Sequence, residues 1–112
     1  MKKIDNITDL KTLVVDALRK AAHHAQEVEQ IIPTVLGCIL CYGDDISTKY
    51  NNADEAYGNV VWFKMNNKQF CLAYSHKTKN IELRNRTQKG EAIYSFNNST
   101  PNIEDCFISA QA

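Results

Sequence analysis

The sequence predicts an α+β fold: a long N-terminal amphipathic helix packed on an antiparallel β-meander, followed by a short C-terminal helix. Three observations predict it. An apolar stripe at helical spacing runs from Leu10 to Ile32. After Asn59, four short apolar-alternating segments follow one another, separated by turn-forming residues. The lengths of those turns place the apolar side chains of all four segments on one face. A chain of 112 residues is the size of one domain and buries enough surface to fold without disulfide staples.

The first element is a helix over about 7–31. Wound at 100° per residue, Leu10, Leu13, Val14, Ala17, Leu18, Ala21, Ala25, Val28 and Ile32 share one stripe. Asp16, Arg19, Lys20, His23, Gln26, Glu27 and Gln30 take the other side. Asn6 is a good N-cap, and Asp9 in the first turn favours the positive end of the helix dipole. Pro33 pushes Ile32 towards extended geometry, which ends the helix.

Thr34 to Tyr42 (TVLGCILCY) is a short apolar run bounded by Pro33 and Gly43. Its length and boundaries predict a strand over 34–42, covered on both faces. Residues 43–58 are polar and aperiodic and read as a long loop. Strands are then expected at 59–65, 68–76, 81–86 and 91–96, with Asn66-Asn67 forming a tight hairpin turn. Thr100-Pro101 begins a helix over about 101–109, lined on one side by Ile103, Phe107 and Ala110.

The turns predict pairings. Two residues at 66–67 set Phe63 opposite Phe70; four at 77–80 set Tyr74 opposite Leu83; four at 87–90 set Leu83 opposite Tyr94. One face then collects Val61, Phe63, Met65, Phe70, Leu72, Tyr74, Ile81, Leu83, Ala92, Tyr94 and Phe96, and it buries the helix stripe. The other face carries Val60, Trp62, Lys64, Gln69, Cys71, Ala73, Ser75, Glu82, Arg84, Arg86, Glu91, Ile93 and Ser95. In this register Trp62 lies opposite Cys71, Cys71 opposite Arg86, Ala73 opposite Arg84, and Arg84 opposite Ile93. A tryptophan at the centre of a solvated face is costly to expose, which makes this face a candidate contact surface.

Thirteen basic and thirteen acidic residues cancel, so no net field gathers nucleic acid or an anionic membrane. Glu82 and Glu91 share a face with Trp62, Lys64, Arg84 and Arg86, and the element order is not that of an RNA-recognition motif. Both points argue against nucleic acid. The charged N-terminus leads into no apolar stretch, so neither signal peptide nor membrane span is expected, and a cytoplasmic location with Cys38, Cys41, Cys71 and Cys106 as reduced thiols follows.

Candidate chemistry is sparse. Cys38-Ile39-Leu40-Cys41 is formally a CxxC, but in a strand the two thiols point to opposite faces, and no second pair completes a zinc site. Adjacent His23 and His24 diverge by 100° on a helix, His23 to solvent and His24 to the edge of the stripe, so they cannot chelate one ion. His76 sits at a strand end on the inward side. None of the three has a sequence-adjacent acid or nucleophile, so binding is favoured over catalysis. Asp44, Asp45, Asp54 and Glu55 make an acidic loop that fails the calcium-loop pattern, since Lys49 stands where glycine is required. The four glycines are isolated and cradle no phosphate. No metal or cofactor is expected.

The passage IIPTVLG (Ile31–Gly37) after a long helix, followed by GNVVWFKMNNKQFCLAYSHKTKNIEL (Gly58–Leu83), resembles the small orphan proteins encoded by integron gene cassettes. The resemblance implies bacterial origin on a mobile element, compact α+β structure and frequent self-association. It carries no functional residue with it.

The first functional expectation is a non-catalytic interaction module that binds a protein partner or a second copy of itself, a two-fold dimer being the default. Its contact would use Trp62, Cys71, Ala73, Arg84 and Arg86 on the open face, or Leu36 and Leu40 in the 34–42 strand. The alternative is a small-molecule binding protein or small enzyme with a pocket between sheet and helix. There the 43–58 loop would be the roof, and Tyr74, His76, Asn85 and Tyr94 the polar groups.

Overall fold

The computed structural model describes residues 2–51 and 56–112, with side chains described over 2–49 and 60–112. In chain order it contains β1 (Lys2–Lys3), α1 (Ile7–His24), a single 3-10 turn (Glu29–Ile31), α2 (Ile32–Tyr42) and β2 (Asp44–Asn51). Then come β3 (Ala56–Met65), β4 (Lys68–Ser75), β5 (Asn80–Asn85), β6 (Ala92–Phe96) and α3 (Ile103–Gln111). The six strands form one antiparallel sheet in the order β1-β2-β3-β4-β5-β6. The fold is α+β, as the patterning predicts.

α1 starts where its cap signal says it should. The backbone N–H of Asp9 donates to Asn6 Oδ1 at 2.9 Å, filling one of the unpaired donors of a first helical turn. The helix ends at His24, not near residue 31, and the chain turns through Ala25 to Val28 before α2 begins. Proline is the reason for the misreading. Pro33 lies in the first turn of α2, where a missing N–H costs nothing, so it opens a helix there instead of closing one.

The predicted 34–42 strand is therefore corrected to a helix. Ile32, Val35, Leu36 and Ile39 are buried, while Pro33, Thr34, Leu40 and Cys41 are exposed. That is a helical stripe, and a run that is apolar almost throughout hides it from sequence periodicity. The predicted 43–58 loop is corrected too: β2 occupies 44–51 and pairs with β3 through Ser47–Trp62 and Thr48–Val61, with register shifts on both sides. Asp45 has a φ of 50° and sits at the first of these irregularities. Thr48 is fully buried, and its hydroxyl donates to the Val60 carbonyl at 2.7 Å. A polar strand whose buried threonine pays its own hydrogen-bond cost carries too little hydrophobic alternation to be recognised. Asp54 and Glu55, half of the expected acidic loop, lie outside the described residues.

Along the meander, β3–β4 pairs Phe63 with Phe70, as expected, around Asn66 and Asn67 at φ 53° and 63°. The β4–β5 hairpin is shifted by two residues from the expectation. Tyr74 faces Ile81 and Leu72 faces Leu83, because the turn is His76–Lys79, with Lys79 N–H donating to the Ser75 carbonyl at 2.7 Å. A two-residue slip keeps every side chain on its face. It does change the neighbours: Cys71 faces Arg84, not Arg86, and Ala73 faces Glu82, not Arg84. β5–β6 pairs Leu83 with Tyr94, then a bulge sets Arg84 against Ala92 in place of Ile93.

All three helices pack on one face of the sheet. The main core joins Leu13 and Ala21 of α1, Val35 and Ile39 of α2, Ile103 and Phe107 of α3, and the inward residues of β3 to β6. Phe63, Phe96 and Phe107 are at 0% exposure, with the Phe96 and Phe107 rings stacked at 5.8 Å. α3 begins at Ile103, after Asn102 at φ 56°, two residues later than expected. Tyr42 of α2 donates to Glu104 of α3 at 3.0 Å. The main core buries the inward face of the meander, with Tyr74 and Tyr94 half-buried; Ala92, expected on that face, is exposed and is set by the bulge opposite Arg84 of the other face.

Candidate functional site

The stripe of α1 changes size along its length. Leu10, Leu13, Val14 and Leu18 pack in or against the main core, while Ala17, Ala21 and Ala25 follow at four-residue steps towards the end of the helix. Alanine ends at Cβ and cannot reach across a helix–sheet layer of about 10 Å. Opposite these alanines stand Val61, Leu72 and Ile81, and α2 closes the side with Ile32, Val35 and Leu36. The gap left between them is a cleft of about 520 Å³. That volume lies within the range of small-molecule sites.

Four polar side chains border the cleft, and they come from two elements. Lys20 and His24 lie one turn apart near the end of α1; Tyr74 and His76 lie at the end of β4 and in the turn after it. The Tyr74 and His76 rings meet edge-on with centroids 5.0 Å apart. Burial, and then the Glu27 carboxylate, hold the Tyr74 phenol above its ordinary value, so it remains a hydroxyl donor at neutral pH. The His24 ring lies 6.1 Å from the His23 ring, centroid to centroid.

Of the four pocket residues expected from sequence, the structure brings Tyr74 and His76 into the cleft and leaves the other two outside. Asn85 is exposed at the end of β5, and Tyr94 stacks on Phe96 with centroids 6.5 Å apart. The segment expected as the roof holds strand β2 over 44–51, and none of its described side chains lines the cleft. Lys20, His24 and the alanine ladder were not among the expected pocket residues; the ladder itself, small residues every fourth position on a sheet-facing stripe, was the available signal.

The expected contact residues divide as well. On the helix-free face, Val60, Cys71 and Ala73 form a second small buried cluster with Trp62 half-buried against it. Arg84 donates through Nε to Glu82 Oε1 at 3.0 Å and also pairs with it through a second guanidinium nitrogen. Arg84 and Trp62 flank Cys71 across the sheet, and the thiol is at 0% exposure. Burial pushes this thiol up to about 11, with the Arg84 charge pulling the other way. Arg86 is exposed beyond the end of β5 at φ 66°, its N–H donating to the Gln69 carbonyl at 3.0 Å. Leu36 is buried in the wall of the cleft, so it offers no surface, whereas Leu40 is 55% exposed on α2.

All four cysteines are free: Cys38 and Cys71 buried, Cys106 half-buried and Cys41 exposed. In α2, Cys38 and Cys41 are three positions apart on a helix, not on opposite faces of a strand. Burial, followed by the nearby Glu104 and Cys41, raises the Cys38 thiol. Among the described residues there is no cluster of three metal-ligating side chains, and no helix is long and apolar enough to cross a membrane.

No curated protein matches the chain. A protein-family model described as integron cassette protein VCH_CASS1 chain matches residues 10–104, which takes in the cleft, both sheet faces and the start of α3. The chain belongs to this family of integron cassette proteins.

Proposed function

We propose that this protein is a small-molecule binding module and that the cleft between α1, α2 and the sheet is its site. One observation carries the reading: a cleft of about 520 Å³ lined mostly by apolar side chains, with Lys20, His24, Tyr74 and His76 as the polar ones among its described lining. An apolar body bordered by a few polar groups is how small-ligand sites are built. The test is a fragment screen read by amide chemical shifts. Ligands that bind should perturb residues around Ala21, Val35 and Leu72; perturbations scattered over the surface would reject the site. The four free thiols, two of them buried, support a reducing, cytoplasmic setting.

Self-association is the second reading, supported by a different observation. No described helix packs over the sheet face that holds Trp62, and Ile93 on that face is 40% exposed. A second copy meeting this face would form a two-fold dimer. Light scattering on wild type and Trp62→Glu checks it. A wild-type monomer at high micromolar concentration rejects the dimer, and a dimer indifferent to Trp62→Glu moves the contact to the exposed Leu40 on α2.

A further inference from the structure

We propose that the cleft takes an uncharged, largely apolar molecule with one hydrogen-bond acceptor, of the ketone kind, and that the Tyr74 hydroxyl is the donor that holds it. This rests on the reading of the cleft as the binding site and specifies the chemistry of its ligand. Apart from Lys20, His24, Tyr74 and His76, every described lining residue is alanine, valine, leucine or isoleucine. Such walls reward an apolar body and give an ion nothing to bond.

The charges nearest the cleft are of both signs, and they are engaged. Lys20 and Asp16 stand one turn apart on α1, and each already holds an interaction within the chain. Glu27 bears on Tyr74. A charged head of either sign therefore meets a like charge as well as an opposite one. To recruit Lys20 or Asp16 it has to displace what that residue holds. An ion also gives up far more hydration on entering an apolar space than a carbonyl does.

Tyr74 stands apart from the other polar residues of the lining. Its ring is braced edge-on by His76, with centroids 5.0 Å apart. Glu27 acts on this phenol through its charge, unlike Glu104, whose carboxylate accepts a hydrogen bond from the Tyr42 hydroxyl at 3.0 Å. Tyr74 thus keeps its proton and donates it to an oxygen of the ligand. A carbonyl oxygen accepts without setting a second negative charge beside Glu27. At about 30 Å³ per molecule of liquid water, 520 Å³ equals roughly 17 waters, so a molecule of roughly 10–15 non-hydrogen atoms fits a cleft open on one side.

Calorimetric titration of the full chain with 2-heptanone, 2-nonanone and 2-undecanone tests the assignment, with amide chemical shifts to locate the site. Decanoate and decylammonium serve as charged molecules of similar length, and butylbenzene as a body without a carbonyl. Affinity should rise about fourfold per methylene along the ketones. An ion keeps its head in water and leaves about two methylenes outside, so each should bind at least about tenfold more weakly than 2-undecanone. Tyr74→Phe should weaken 2-undecanone about fivefold, the net value of one hydrogen bond. The same variant should bind butylbenzene as the wild type does, which also shows that it folds. Either ion binding as tightly as 2-undecanone overturns the uncharged assignment and leaves the cleft reading standing. A Tyr74→Phe variant that weakens both ligands equally, or neither, overturns the role of the hydroxyl. Binding that leaves the amides of Ala21, Val35 and Leu72 unshifted, or no binding by any probe, overturns the cleft reading and the proposal with it.

Discussion

Replacing Ala21 by leucine is the sharpest perturbation of the cleft, because the two possible packings of this residue predict opposite signs. Ala21 is 3% exposed on the sheet-facing stripe of α1 and lines the cleft. If its Cβ points into empty volume, leucine adds three carbons to an apolar space at about 0.8 kcal/mol each. Part of that gain is returned as rotamer entropy, roughly 0.5–1 kcal/mol, and the cleft is open on one side, so burial is incomplete. The expected result is a stabilisation of about 1 kcal/mol, read as a higher urea midpoint at unchanged m-value and a rise of about 4 °C in Tm. In a close-packed layer the same substitution forces off-rotamer side chains and costs about 1–3 kcal/mol. Destabilisation by more than about 1 kcal/mol would therefore refute the cleft, and with it the reading of α1 as a helix held off the sheet at its alanine end.

Other outcomes follow from single residues. Phe63→Ala, at a fully buried ring beside Phe70 and Phe107, should cost about 3–5 kcal/mol in urea titration. Asn6→Ala removes the cap of α1 and should cost about 1 kcal/mol, with Asn6→Asp recovering most of it. Maleimide labelling at pH 8 should modify the exposed Cys41 first and leave Cys38 and Cys71 until the chain is unfolded, as mass spectrometry of the labelled peptides would show. The Cys71 thiol is raised from 9.0 to about 11 in the folded state. Its contribution to stability is thus present in full below pH 9 and lost as pH rises through about 11. Wild type should lose stability across that window faster than Cys71→Ala.

The legible parts of this fold are those where side-chain spacing and turn chemistry agree. The four-strand meander from β3 to β6 could be read because Asn66 and Asn67 adopt the left-handed geometry that a two-residue turn requires. The facing of β5 survived a register error, since the slip was by two residues and the side-chain period is also two. α2 was hidden because a nearly continuous apolar run has no polar phase to reveal its period, and a proline before it reads equally as an end or a start. β2 was hidden for the opposite reason. Among its described side chains only Ile46 and the buried Thr48 pack towards the core, and a hydrogen-bonded threonine looks polar on paper. The site was half legible: Tyr74 and His76 follow from strand facing, but Lys20 and His24 join them only through a helix–turn–helix that the sequence disguises as one long helix.

Because the strand order in space repeats the order in the chain, five of the six strands join by short-range zipping. β1 is the exception. Lys2 pairs with Thr48 only after the chain has run through α1 and α2. Closing that loop costs about 1.5–2 kcal/mol more in chain entropy than closing the Phe63–Phe70 hairpin, and two residues of ladder return little of it. The sheet therefore assembles from β2 to β6 around the phenylalanine core, and β1 docks last. In hydrogen exchange the Ile4 amide, bonded to the Ile46 carbonyl at 2.8 Å, opens far more often than the amides of β4. The free edge of β2 is thus intermittently bare, a latent pairing site that only a two-residue strand keeps closed.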